Sequence, residues 1–148
     1  MPRSNPKPAP RPPSGSGRSG FIRLISGQWK GRKLPVREVE GLRPTTDRIK
    51  ETLFNWLAAE VRDSRCLDLF AGSGSLGFEA LSRYARHVTM VEMDRGAAQQ
   101  LSKNLSTLQS QQATIIQRDA LSLLAEPGEP FDIIFLDPPF RRDLLDTV

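Results

Sequence analysis

The sequence predicts an α/β fold: a parallel sheet with helices on its faces, preceded by a small β-hairpin. Three observations carry that expectation. From Arg65 onward, short apolar runs alternate with helical stretches, and such alternation requires parallel strands joined by right-handed crossovers. The first run leads through Gly72-Ser73-Gly74-Ser75-Leu76-Gly77 into a helix. Each run also ends in acids or glycines, and ligands bind at the carboxyl ends of strands in sheets of this kind.

Size and composition set the outer limits. The 148 residues suffice for one domain with a core, and 38% hydrophobic with 26% charged residues is ordinary for a soluble globular chain. No apolar run approaches the roughly 20 residues needed to cross a bilayer, so a membrane role is not expected. The basic N-terminus has no apolar stretch behind it, which argues against a secretory signal. Cys66 is the single cysteine, so no internal disulfide is available and a cytoplasmic chain is the natural reading. Within its apolar run, Cys66 is expected to be a small buried hydrophobe. His87 is the single histidine; one His and one Cys do not make a zinc site, and no metal is expected. The net charge of +4 hides an asymmetry: residues 1–50 carry twelve Lys or Arg against three acids, +9, while residues 51–148 carry −5. A basic arm on an acidic body points to a polyanionic partner gripped from the N-terminal side, with a solubilising tail as the alternative.

Residues 1–20 hold six prolines, three glycines, four serines and four basic residues with no acid. Such a segment buries too little apolar surface to offset its ordering entropy, and disorder is expected. Residues 21–42 should form the hairpin: residues 21–25 and 33–36 as strands, with Gly27 and Gly31 bracketing a turn. Its polar content is basic, and Trp29 stands near the turn. Guanidinium and indole planes stack on unpaired bases, so Arg23, Trp29, Lys30, Arg32 and Lys33 are candidate RNA contacts. For Trp29, capping the core below is an equal alternative. Residues 43–148 form the core unit. Thr46 as N-cap and Asp47 beside the positive helix end open its first helix. Ile49, Leu53, Trp56 and Leu57 make one apolar stripe expected to face a core. Residues 66–70, 88–92, 114–117 and 131–136 are the expected strands, and residues 76–83, 95–108 and 120–124 the helices between them.

The strand ends carry the chemistry. Gly72, Gly74 and Gly77 spell GxGxxG in a strand-to-helix setting, which permits a tight turn, close approach of a ligand and close helix packing. The pattern alone fits several nucleotide cofactors. Asp68 narrows the choice, because a carboxylate beside the loop repels a pyrophosphate and attracts an ammonium, such as that of S-adenosylmethionine. Hydrogen bonding within the turn is the plainer role for Asp68. Glu92 lies twenty residues beyond Gly72, the spacing of an acid that accepts from ribose hydroxyls. Asp94 starts the next helix. Asp119 can accept from an adenine amine and the Ala120 N–H can donate to a ring nitrogen, with N-capping as the competing role for Asp119. The last strand delivers Asp137-Pro138-Pro139-Phe140. Prolines stiffen this turn, and its acceptors can grip both hydrogens of a base's exocyclic amine while Phe140 stacks on the base. That grip exposes the nitrogen lone pair to a sulfonium methyl, and Asp137 offers a route for the proton.

With Asp68 to Gly77, Glu92, Asp119 and Asp137 to Phe140, the chain resembles a Rossmann-like methyltransferase. More narrowly, residues 43–57 and 26–34 resemble the signatures of the bacterial small-subunit ribosomal RNA methyltransferase D family. The resemblance runs from about Phe21 to the end of the chain. It implies methylation of a guanine N2 in 16S ribosomal RNA by S-adenosylmethionine, within small ribosomal subunit particles; a monomer is expected. It implies cofactor contacts from Asp68, Glu92 and Asp119 and base handling by Asp137 and Phe140; Phe70, Gly72, Gly74 and Ala120 are further expected cofactor contacts, and Pro138 is expected to act beside Asp137. Arg43, Thr45 and Thr46 are read as the mouth of the site, touching RNA phosphate or the cofactor's carboxylate, with helix capping as the alternative. Methyltransferases of this class usually carry three more strands after the Asp137 turn, whereas Val148 follows Phe140 by eight residues. C-terminal strands are therefore expected to be missing, and these 148 residues alone are expected to show weak or no activity. Three other functions fit parts of the pattern: an adenine-N6 DNA methyltransferase, an NAD-dependent oxidoreductase, and a non-catalytic RNA-binding ribosome assembly factor.

Overall fold

The computed structural model describes residues 19–37, 46–126, 128 and 130–137. Strands β1 (Ser19–Arg23) and β2 (Lys33–Arg37) form an antiparallel hairpin, with Ile22 opposite Leu34. Helices α1 (Asp47–Trp56) and α2 (Ala58–Val61) follow. Then β3 (Arg65–Asp68), α3 (Ser75–Ser82), β4 (His87–Glu92), α4 (Arg95–Leu108), β5 (Ala113–Gln117), α5 (Ala120–Leu124) and β6 (Ile133–Phe135) alternate. The four later strands pair in parallel in the order β5-β4-β3-β6. The chain steps outward from β3 through β4 to β5, then returns to lay β6 on the other side of β3. Strand order reverses there, the place where sheets of this kind bind their ligands.

The fold class agrees with expectation; several boundaries move. The hairpin starts at Ser19 and its first strand ends at Arg23, so two residues assigned to the disordered tail belong to a strand. Residues 1–18 lie outside the described residues. Strand β3 stops at Asp68, because the backbone must leave the sheet there to form the glycine turn. Local caps explain the helix starts. Thr46 Oγ1 accepts from the Ile49 N–H at 3.3 Å, and Asp94 Oδ2 accepts from the Ala97 N–H at 2.8 Å, each satisfying a first-turn donor that has no intrahelical partner.

The hairpin shares the main core instead of standing apart. Ile22, Leu24, Leu34 and Val36 are buried with Phe54, Phe78, Leu81, Met90 and Leu101 in one cluster. Burying a Leu or Phe side chain fully contributes about 1.5–3 kcal/mol, so four such residues fasten the hairpin firmly.

Helix α1 presents a different face from the one its apolar stripe predicts. Ile49 is 59% and Trp56 78% exposed, while Lys50 and Phe54 are fully buried. Leu53 and Leu57 pack partly against the core. The inward face is rotated by one residue, about 100° on a helix of 3.6 residues per turn. The cause is Lys50, whose ammonium finds partners inside, so a charged residue takes a position that apolar periodicity gives to Ile49. Phe54, one turn on, sits 5.6 Å from the Phe135 ring with the Arg83 guanidinium 5.0 Å over its face.

Candidate active site at the strand tips

The turn after β3 is built around backbone groups, because Gly72 and Gly74 bring no side chains to it. Gly74 has φ of +83°, and a Cβ there would lie 2.6 Å from Leu101 Cδ2 and from the Phe78 ring, so only glycine fits. The Gly74 N–H donates to the Ala71 carbonyl at 2.7 Å, and the Ala71 N–H to the Val91 carbonyl at 3.0 Å. Two acids brace the turn from the sheet. Asp68 Oδ2 accepts from the Gly77 N–H at 3.1 Å. Glu92 Oε1 accepts from the Gly72 N–H at 2.7 Å, and its Oε2 from the Asp94 N–H at 2.9 Å. The turn-bonding role of Asp68 is therefore present, and Glu92 carries a brace of its own that its spacing from Gly72 does not predict.

Both carboxylates are buried, Asp68 at 1% and Glu92 at 8% exposure. Among the described residues, no lysine, arginine or histidine forms an ion pair with either. Burial pushes the Asp68 carboxyl up to about 7, with the charges of Asp137 and Glu92 adding to the rise and the Gly77 N–H opposing it. A buried acid without a cation is costly in its charged form. The pair therefore favours a ligand that brings positive charge or hydroxyl donors.

The remaining tips close around this pair. The Arg118 N–H donates to the Glu92 carbonyl at 3.1 Å, and the Leu69 N–H to the Phe135 carbonyl at 3.2 Å, which holds the β5 and β6 ends beside those of β4 and β3. Asp119 caps α5, its Oδ1 accepting from the Leu121 N–H at 3.4 Å. Ala120 is buried with Leu67, Leu69 and Val91, and Phe70 packs partly against them. On the far side, the Arg65 N–H donates to Asp132 Oδ2 and the Asp132 N–H to the Arg65 carbonyl, both at 2.8 Å. This double tie sets the register that carries Asp137, exposed, to the end of β6 next to β3. Pro138 and Phe140 lie outside the described residues, as do Arg43 and Thr45.

The hairpin candidates divide. Lys30, Arg32 and Lys33 are exposed. Arg23 pairs with Asp47 at 3.0 Å, both side chains about half exposed. Trp29 is half-buried against the core and its backbone N–H donates to Ser82 Oγ at 3.1 Å, which is the capping role held equal to base stacking. The Thr46 hydroxyl oxygen is engaged as a helix cap.

Sequence reasoning missed Lys50, Ser75, Glu79 and Arg83, which meet beneath the hairpin. One signal was available: Glu79 is the one charged residue in the helix Ser75–Ser82, and a buried acid must find partners.

Comparison with known proteins gives consistent results. The model of the family described as conserved hypothetical protein 95 matches residues 22–148. Ribosomal RNA small subunit methyltransferase D of Escherichia coli is 60% identical over 134 residues, 90% of this chain and 67% of that protein. Its Haemophilus influenzae counterpart is 57% identical, covering 86% and 68%. The solved Escherichia coli protein yhhF superposes with a TM-score of 0.78 at 58% identity, over 85% of this chain and 68% of that one. The 16S rRNA N2 G1207 methyltransferase of T. thermophilus, solved with AdoMet and guanosine, is 29% identical with a TM-score of 0.64, over 92% of this chain and 36% of its own. The chain thus spans about two thirds of the length of the curated relatives it matches.

Proposed function

The chain belongs to the conserved hypothetical protein 95 family, with ribosomal RNA small subunit methyltransferase D among its relatives, and from that premise we propose that it is an S-adenosylmethionine-dependent ribosomal RNA methyltransferase acting on the N2 amine of a guanine. The observation that carries the reading is the pair of buried carboxylates without a cation, Asp68 and Glu92, beneath a glycine turn whose backbone admits no Cβ at Gly74. That donor set fits a cofactor with an ammonium at one end and a ribose at the other. Glu92 would accept from ribose hydroxyls, since each carboxylate oxygen keeps acceptor capacity beyond its one backbone bond. Asp119 and the Ala120 N–H would take the adenine, with Phe70 forming the apolar wall. When bound, the cofactor supplies a methyl on a cationic sulfur, ready for displacement by a nucleophile.

Asp137 does the work on the other reactant. Its carboxylate, at the tip of β6 beside β3, would accept from the exocyclic amine and hold the nitrogen lone pair toward the methyl. Asp137, or water beside it, would take the proton that the amine gives up on methylation. Pro138 would fix the turn and Phe140 would stack on the base. Positioning of two reactants accounts for most of the acceleration in such a transfer. The exposed Lys30, Arg32 and Lys33, with Arg23, would contact RNA phosphate, and the basic residues 1–50 supply the long-range attraction. A guanine substrate is supported by the T. thermophilus relative, a 16S rRNA N2 G1207 methyltransferase solved with guanosine bound, and small subunit RNA by the names of the curated relatives.

The test supplies a labelled methyl donor with ribosomal small subunit particles or duplex DNA, using the protein and its Asp137→Ala variant. Label in N2-methylguanosine of the particle RNA, lowered about 10²–10⁴-fold by Asp137→Ala, is the expected result. Label in DNA adenine would replace the substrate assignment. RNA binding without label, and unchanged in Asp137→Ala, would make the protein an assembly factor.

A further inference from the structure

Helix α1 carries a buried charged cluster that no strand-tip motif includes. Lys50 is fully buried; its ammonium donates to the Arg23 carbonyl at 2.8 Å and to Ser75 Oγ at 3.1 Å, and lies 3.6 Å from Glu79 Oε1. Glu79, also fully buried, accepts from the Ile25 N–H at 2.9 Å, the Ser26 N–H at 3.1 Å and Arg83 Nε at 2.7 Å. The cluster joins the end of β1, the middle of α1 and the start of α3. Ser75 is the residue that follows Gly74, so its hydroxyl marks where the glycine turn becomes a helix.

As a device for stability alone, this arrangement is poor. Desolvating two charges offsets most of their attraction, and well-packed apolar residues of the same volume often serve as well or better. Burial indeed pulls the Lys50 ammonium below its ordinary value, with the Glu79 carboxylate opposing that pull. What an apolar pair does not supply is direction: hydrogen bonds fix which atoms face one another. The glycine turn needs such external fixing. Asp68 and Glu92 hold it from β3 and β4, and Lys50 holds its exit from the N-terminal layer.

We propose that Lys50 is a positioning residue which, with Glu79, sets the glycine turn and the N-terminal hairpin in one frame, so that the cofactor loop and the basic hairpin are ordered together. The claim rests on the reading of the turn as the S-adenosylmethionine site. Loosening the cluster should therefore loosen the loop while the sheet stays intact.

Three variants test this. Lys50→Met strands a buried acid and can fail to fold. The double variant Lys50→Met/Glu79→Gln removes both charges, and Ser75→Ala removes only the tie to the loop. For each, S-adenosylmethionine affinity is titrated by calorimetry, amide exchange is followed at residues 74–78 and along α4, and Tm is recorded. The double variant should bind the donor about tenfold more weakly and Ser75→Ala a few-fold more weakly. Both should exchange faster at residues 74–78 with α4 still protected. Unchanged exchange there, or unchanged affinity in folded protein, overturns the proposal whatever happens to Tm, because a lowered Tm with an intact loop is what simple packing glue gives. If the unaltered protein binds no donor, the cofactor reading fails, and the exchange data still decide whether Lys50 positions the turn.

Discussion

Three carboxylates are buried among the described residues, and the two regions that hold them treat them differently. Beneath the hairpin, Glu79 is met by the Lys50 and Arg83 cations and by two backbone N–H groups. At the strand tips, Asp68 and Glu92 accept backbone N–H bonds and no described cation pairs with them. The first region is electrostatically closed and the second is open. Buried charge without a counter-ion is expensive, and in the proposed function the cofactor would complete these two acids. Burial pushes the Asp68 carboxyl up to about 7, which is the mark of that cost.

The largest effect is expected in the closed region. Gly27, in the hairpin turn, has φ of +93°, and a Cβ there would lie 1.9 Å from the Ser82 carbonyl oxygen, which accepts from the Gln28 N–H at 2.7 Å. Gly27→Ala should cost about 3 kcal/mol, through strain and a backbone clash together. Thermal unfolding monitored by circular dichroism measures this, and an unchanged Tm would show that the hairpin does not dock as described.

At the open region the effect is graded by pH. Asp68 binds its proton more tightly folded than unfolded, where its value is 3.8. Its stabilising share is therefore complete below about pH 4 and is lost as pH rises through about 7, with a slope of at most about 1.4 kcal/mol per pH unit. Donor binding should run the other way, because an ammonium needs the ionised carboxylate: affinity should fall as pH drops below about 7, by at most about tenfold per unit. Asp68→Asn should flatten both profiles. Parallel profiles in the variant and the unaltered protein would remove Asp68 from the account.

The smallest effect belongs to the exposed basic residues of the hairpin. Lys30→Gln and Lys33→Gln should each weaken RNA binding a few-fold and reduce the salt slope by about 0.7–0.9 per phosphate contact. An unchanged slope would move the RNA surface elsewhere.

The same two regions differ in how far the sequence reveals them. The strand tips were legible because glycines and acids sit at fixed positions relative to apolar runs: Gly72, Glu92 and Asp137 all fall at strand ends, and the parallel order puts those ends together. Capping by Asp94 and Thr46 was legible for the same local reason. The layer under the hairpin was not. Apolar periodicity counts Lys50 as a surface residue, yet three partners from two distant segments draw it inward and turn Ile49 and Trp56 to solvent. For Trp29 the sequence leaves base stacking and core capping equal, since only the folded hairpin reveals the core beneath it. Long-range polar pairing leaves no period in a sequence.

Soaking a crystal with S-adenosylmethionine locates the donor. Adenosyl density is expected over the glycine turn at Gly72 and Gly74, with ribose hydroxyls within hydrogen-bond reach of the Glu92 carboxylate. Bound donor lying away from Gly72 and Glu92, with both acids still facing only their own backbone partners, would contradict it.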